Sequence, residues 1–226
     1  MLRASHAIRV LEGRSIEGAV AVHERAPVIS VFDYGAGNLQ SVQNTLGAIG
    51  AEYKLIRDAG SIRRAEKLIL PGVGHFGQIA RALTEMDVRS AFTERMIAGV
   101  PFLGICLGLQ VLFPTSEEAP AETGLGVFPG TVKRFQGDAR IPHMGWNALT
   151  RRASSRLLAG AGDAPFVYFA NSYYCPVLEE TSATCDYIVP FMAVLECGNT
   201  CGVQFHPEKS GPLGLKIVRN FVENVC

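Results

Sequence analysis

Val100-Pro101-Phe102-Leu103-Gly104-Ile105-Cys106-Leu107-Gly108-Leu109-Gln110-Val111-Leu112 decides the fold class. Val100 to Ile105 is apolar without alternation, the pattern of a strand buried on both faces. Leu109, Val111 and Leu112 follow almost at once and read as an apolar helix, so strand turns into helix across Gly104–Gly108. The same grammar recurs upstream. Val28, Ile29, Val31 and Phe32 form an apolar run that ends in the turn-rich Asp33-Tyr34-Gly35-Ala36-Gly37-Asn38. Leu39, Val42, Leu46 and Ile49 then recur at helical spacing. Tyr53, Leu55 and Ile56 predict a second strand, and Leu68-Ile69-Leu70 a third, stopped by Pro71-Gly72. Helical patterning covers about Phe76 to Ala98. Strand alternating with helix predicts an α/β fold whose parallel sheet is covered by helices on both faces.

Beyond Gly124 the texture changes. Val127–Arg134, Gly145–Leu149, Phe166–Phe169, Tyr187–Glu196 and Thr200–Phe205 read as strands separated by turns, partly antiparallel. Gly211-Pro212 followed by Leu213, Ile217, Val218 and Phe221 predicts a terminal helix with proline in its first turn. Neither a repeat nor a linker breaks this stretch, so residues 28–226 are expected to form one domain. Residues 1–27 mix arginine and glutamate without a sustained period and are expected to be a poorly structured extension.

Composition narrows the function. Apolar residues make up 48% and charged residues 19%, which is globular composition and not that of a disordered chain. Lys plus Arg equals Asp plus Glu at 21 each, leaving no basic excess for a nucleic-acid backbone. No apolar stretch approaches the roughly 20 residues of a membrane span, and the first residues contain no signal-peptide core. A cytoplasmic protein is expected, with its six cysteines as reduced thiols.

Gly104-Ile105-Cys106-Leu107-Gly108 has the layout of a nucleophile elbow with cysteine in the nucleophile's place. The flanking glycines leave room for neighbouring main chain, and a helix N-terminus favours a thiolate. Lowering a thiol pKa from about 8.5 to about 6.5 takes roughly 2.7 kcal/mol, more than a dipole usually provides, so a cationic partner is needed. Gln204-Phe205-His206-Pro207-Glu208 supplies one. Preceding a proline, His206 is pushed toward extended backbone, and extended residues two apart project to one side. His206 and Glu208 can then meet, the carboxylate orienting the imidazole while its other nitrogen serves the thiol. Pro71 to Gly77 follows the third strand, where loops of adjacent parallel strands share a crevice. The amides of Val73 and Leu107 are therefore candidates for an oxyanion hole. Neither Cys197-x3-Cys201 nor His75 and His143 have companions at metal-ligand spacing, so no metal and no cofactor is expected.

With these motifs in place, the sequence resembles the class I glutamine amidotransferases. Within them it is similar to the glutaminase subunits of imidazole glycerol phosphate synthases of histidine biosynthesis. The narrower resemblance rests on Asp33 to Leu39, Pro71 to Gly77, Pro142 to Asn147, Tyr168-Phe169 and Glu208-Lys209-Ser210. It implies a flavodoxin-like, mixed but mostly parallel sheet. It also implies Cys106 as nucleophile, His206 as base and Glu208 as its orienter, with Gly74, Gln110, Glu118, Ser172 and Tyr173 holding glutamine. Trp146, Tyr168 and Lys209 match positions that face a separate cyclase subunit. That (β/α)-barrel takes about 250 residues, so a partner is required. Asn171, Gly211 and Pro114-Thr115 depart from the family pattern.

Overall fold

The computed structural model describes residues 26–36 and 38–226. The extension expected over 1–27 lies outside them apart from Ala26 and Pro27, and so does Gly37 of the loop after the first strand. The first half of the chain runs β1 (Ile29–Phe32), α1 (Leu39–Ala48), β2 (Tyr53–Ile56), α2 (Ala59–Arg63), β3 (Lys67–Gly72), α3 (Phe76–Glu85) and α4 (Arg89–Ile97). It continues through β4 (Phe102–Cys106), α5 (Leu107–Gln110), β5 (Thr115–Ser116), β6 (Thr131–Arg134), β7 (His143–Ala148) and β8 (Thr150–Arg151). It closes with β9 (Phe166–Asn171), β10 (Tyr173–Tyr174), β11 (Thr181–Tyr187), β12 (Val189–Cys197), β13 (Thr200–Val203) and α6 (Gly211–Asn224).

Eight strands form the central sheet in the order β2-β1-β3-β4-β13-β12-β11-β8. From β2 to β13 every neighbouring pair is parallel, and β12, β11 and β8 extend the sheet antiparallel. The mixed, mostly parallel sheet read from the sequence is the one observed. Its strands alternate between two cores. Ile29, Val31, Ile69, Leu103 and Ile105 pack with Val42 and Leu46 of α1 and Ile217 and Phe221 of α6. Phe32, Leu68, Leu70 and Phe102 face Ile79 and Leu83 of α3 and Phe92 of α4 on the other side. Burial on both faces explains the unbroken apolar runs. Outside the main sheet, β7 and β9 pair as an antiparallel ribbon, and β10, β6 and β5 form a small sheet. Among the described residues no helix is long and apolar enough to cross a membrane.

Several local expectations are corrected. Pro71-Gly72 does not stop β3: Pro71 pairs with Ile105 and Gly72 with Cys106. The ladder to β1 ends at Ile69, so Pro71 lies where that neighbour no longer asks for an N–H. The helix expected over 76–98 is two helices, broken at Asp87, whose φ is 51°. The helix after Cys106 is a single turn. Phe113 takes the Gln110 carbonyl at 3.0 Å, and Leu125 and Val127 take those of Val111 and Leu112 at 2.6 and 2.7 Å, so the next turn loses its acceptors. The expected strand over 187–196 is the end of one strand, a turn at Ile188 with φ of 61°, and β12. Of 127–134, only β6 is strand.

Candidate active site

Cys106 ends β4 with φ 53° and ψ −104°, a left-handed conformation that ordinary side chains avoid. The crowding expected around it is present. A Cβ on Gly104 would lie 2.4 Å from the Gly108 carbonyl oxygen, and one on Gly108 would lie 1.8 Å from that of Leu70. A Cβ on Gly72 would likewise lie 2.6 Å from Leu107 Cβ, so bare glycines let β3, β4 and the following turn pack this closely, and the packing fixes where the sulfur points. With α5 reduced to one turn, its dipole offers less than the sequence suggested, and the cationic partner becomes the decisive element.

That partner is His206, just beyond β13, which runs parallel to β4. Its backbone is extended, with φ −100° and ψ 96°, as the following proline dictates. The His206 N–H donates to the Tyr168 carbonyl at 2.9 Å, and its own carbonyl accepts from Ser210 Oγ at 2.7 Å. Nδ1 lies 2.8 Å from Glu208 Oε1, and both side chains are buried. The meeting of these two residues was expected, but its stated reason was incomplete. Glu208 belongs to a short 3-10 turn, Pro207–Lys209, so the turn and not strand alternation brings the carboxylate back under the ring. Burial pushes the imidazole down, yet the hydrogen-bonded Cys106 sulfur and the Glu208 carboxylate outweigh burial and hold it up to about 10. Near neutral pH the geometry therefore favours an imidazolium between sulfur and carboxylate.

Cys106 and His206 open into a cavity of about 350 Å³. Val73, Leu107, Gly74, Gln110, Glu118, Ser172 and Tyr173, all singled out from the sequence, line it together with Asn171 and Lys209. Glu118 Oε2 accepts the Phe76 N–H at 2.6 Å, tying the cavity wall to the start of α3. His75 Nδ1 accepts the Gly77 N–H and caps the same helix. Glu208 stands behind His206 and outside the cavity lining. Trp146 and Tyr168 lie on the β7–β9 ribbon, where Trp146 is 48% exposed, Met144 61% and Phe166 53%. Lys209 Nζ sits 5.9 Å from the centre of the Tyr168 ring. No group of three His, Cys, Asp or Glu side chains is gathered to hold a metal ion among the described residues.

The sequence pattern of the family described as "Glutamine amidotransferase class-I" matches residues 30–225. The chain belongs to that family. It is 45% identical over 198 residues to the imidazole glycerol phosphate synthase subunit HisH of Methanothermobacter thermautotrophicus, covering 87% of this chain and 98% of that one. To the chloroplastic imidazole glycerol phosphate synthase hisHF of Arabidopsis thaliana it is 43% identical over 201 residues, covering 86% of this chain and 34% of the plant protein. In fold it is similar to the solved structure of PurLQS from Thermotoga maritima, with a TM-score of 0.71 at 19% identity, covering 89% of this chain and all of that one.

Three residues around the amidotransferase cavity went unassigned from sequence. Tyr34 reaches the Val73 carbonyl with its hydroxyl at 3.4 Å. Asn171 Nδ2 donates to the Tyr173 carbonyl at 2.9 Å. Gln204 is fully buried beside Cys106, its Nε2 3.6 Å from Sγ. A lone polar residue inside Gly202-Val203-Gln204-Phe205 was the available signal for the last.

Proposed function

We propose that this amidotransferase is the glutaminase subunit of an imidazole glycerol phosphate synthase, acting in the cytoplasm through Cys106, His206 and Glu208. The observation that carries the chemistry is the buried line from sulfur through imidazole to carboxylate, opening onto a cavity of amino-acid size. The thiolate of Cys106 attacks the side-chain amide carbon of glutamine and forms a C–S bond while the carbonyl electrons move to oxygen. Main-chain N–H groups of Val73 and Leu107 hold that oxyanion, a contribution of roughly 3–4 kcal/mol. Collapse breaks the C–N bond, and His206 gives its proton to the departing ammonia. Water then attacks the γ-glutamyl thioester, losing a proton to His206, and releases glutamate and the thiolate. Gly74, Gln110, Glu118, Ser172 and Tyr173 hold the substrate. Residues 28–226 are the amidotransferase domain, and residues 1–27 stand apart from its chemistry.

Ammonia passes to a cyclase partner docked on Trp146, Tyr168 and Lys209. The exposed apolar face beside the cavity supports this reading, as does the plant relative, in which the matching part fills a third of a longer chain. The test is the steady-state release of glutamate by the chain alone, with a barrel cyclase, and with cyclase plus its nucleotide substrate. The rate is expected to rise in that order. Three equal rates would remove the coupling, and no release in any state would remove the glutaminase assignment.

A further inference from the structure

The register that pairs Val203 with Ile105 makes their successors, Gln204 and Cys106, neighbours at the ends of β13 and β4. Gln204 is wholly buried there, and its main-chain N–H is spent on the Ala193 carbonyl at 3.0 Å. Its side chain is one link in a relay whose polarity is fixed from outside. The Tyr173 carbonyl can only accept, so Gln110 must turn its NH2 toward it, at 3.0 Å. The second N–H of the same nitrogen reaches Gln204 Oε1 at 3.1 Å. Gln204 therefore faces Gln110 with its oxygen and Cys106 with its nitrogen, 3.6 Å from Sγ. Turning either amide over would set NH2 against NH2 or oxygen against oxygen. Among the described residues Gln110 Oε1 finds no partner, though it is buried on a residue that lines the cavity.

We propose that Gln204 is a positioning residue for the nucleophile: its carboxamide, held by Gln110, donates an N–H to the Cys106 sulfur and steadies the thiolate from the side that His206 does not occupy. This rests on the glutaminase reading above and deepens it. A sulfur held by an imidazolium and an amide N–H has its lone pairs directed, and a charge-assisted bond to a buried sulfur is worth more than one at the surface. Among the described residues Tyr34 and Cys175 are the other titratable groups coupled to Cys106. Burial holds both neutral, pushing the phenol up to about 12 and the second thiol well above its usual value. Neither donates a charge to the sulfur.

The experiment uses the assembled complex of this chain with its cyclase. Gln204→Met keeps the volume without donor or acceptor, and Gln204→Glu keeps the acceptor that Gln110 needs. The pH profile of Cys106 alkylation by iodoacetamide is followed peptide by peptide, since Cys197 and Cys226 are exposed. Both variants should move its midpoint upward by about one unit, and glutamine-dependent kcat should fall about 10- to 100-fold. Ammonia-dependent synthesis should stay intact, and the thermal midpoint of the variant chains and their affinity for the cyclase should stay in place, which a general packing defect would not allow. An unchanged alkylation profile overturns the proposal. Where neither variant assembles, the Gln204 side-chain amide resonance of the unaltered chain decides: it should shift when Cys106 is alkylated, and a stationary signal overturns the proposal equally. Cys106→Ala separates the two failures, because glutamate release that survives in it removes the underlying reading, whereas its loss beside unchanged Gln204 profiles removes this inference alone.

Discussion

The parallel half of the sheet and the β7–β9 ribbon meet at His206, and they are built on opposite rules. In β1, β3, β4 and β13 every residue is buried. In β9 burial alternates: Val167, Phe169 and Asn171 turn inward while Phe166, Tyr168 and Ala170 face out. The first arrangement allows no neighbour to shift, which is what a nucleophile and its base require. The second packs one face and leaves the other as a row of aromatic and thioether groups, which is what a partner can cover. The proposed chemistry and the proposed docking thus fall on two kinds of strand, joined where the Tyr168 carbonyl receives the His206 N–H.

Substitutions should keep that division. The largest effect is expected from Cys106→Ala, which should abolish glutamine-dependent synthesis by the complex and leave ammonia-dependent synthesis untouched, as both assays in parallel would reveal. Loss of both would mean the buried half also governs the partner's chemistry. Glu208→Gln should lower glutamine-dependent turnover on the order of 10⁴-fold by removing the charge that orients and sustains the imidazolium. Partner affinity, measured by calorimetry, should not change. Trp146→Ala should do the reverse, weakening cyclase binding by about 2 kcal/mol, roughly 30-fold in Kd, while the unfolding midpoint of the isolated chain stays in place. A Trp146 variant with normal affinity would break the assignment of the ribbon to docking.

The smallest effect tests whether the ribbon's inner face counts as core. His143 is sandwiched between Tyr187 and Phe169, with ring centroids at 4.0 and 4.8 Å, and burial pushes its imidazole down from 6.5 to about 4. Between those values the unfolded chain binds a proton that the folded chain refuses. The contribution to stability is therefore complete above about pH 6.5 and is lost as pH falls through about 4. The thermal midpoint should decline over that range, and His143→Phe should flatten the decline. Identical slopes in the two proteins would take His143 out of the core.

Legibility in the sequence followed the same division. Unbroken apolar runs betray a doubly buried strand directly, and the glycines at 104 and 108 mark the elbow because nothing larger fits. Errors fell where the backbone does something its residues rarely do. Asp87 and Ile188 both take positive φ without glycine or proline to announce a turn, so one helix was read where there are two and β11 was merged into β12. The five residues of α2 are too few to display a period, and its start is marked by the bonds from Ser61 N and Oγ to the Asp58 side chain. Gln204 escaped because a buried amide has meaning only through its partners, and those lie 94 and 98 residues away in the chain.

The left-handed backbone at Cys106 places activity and durability in opposition. A side chain at φ 53° and ψ −104° costs the fold on the order of 1–3 kcal/mol that glycine would not incur. The scaffold would be more comfortable with its nucleophile erased, so any drift that rewards stability alone leads toward an inert glycine at this one position. A cysteine at this position is accounted for by the turnover proposed for it and not by folding.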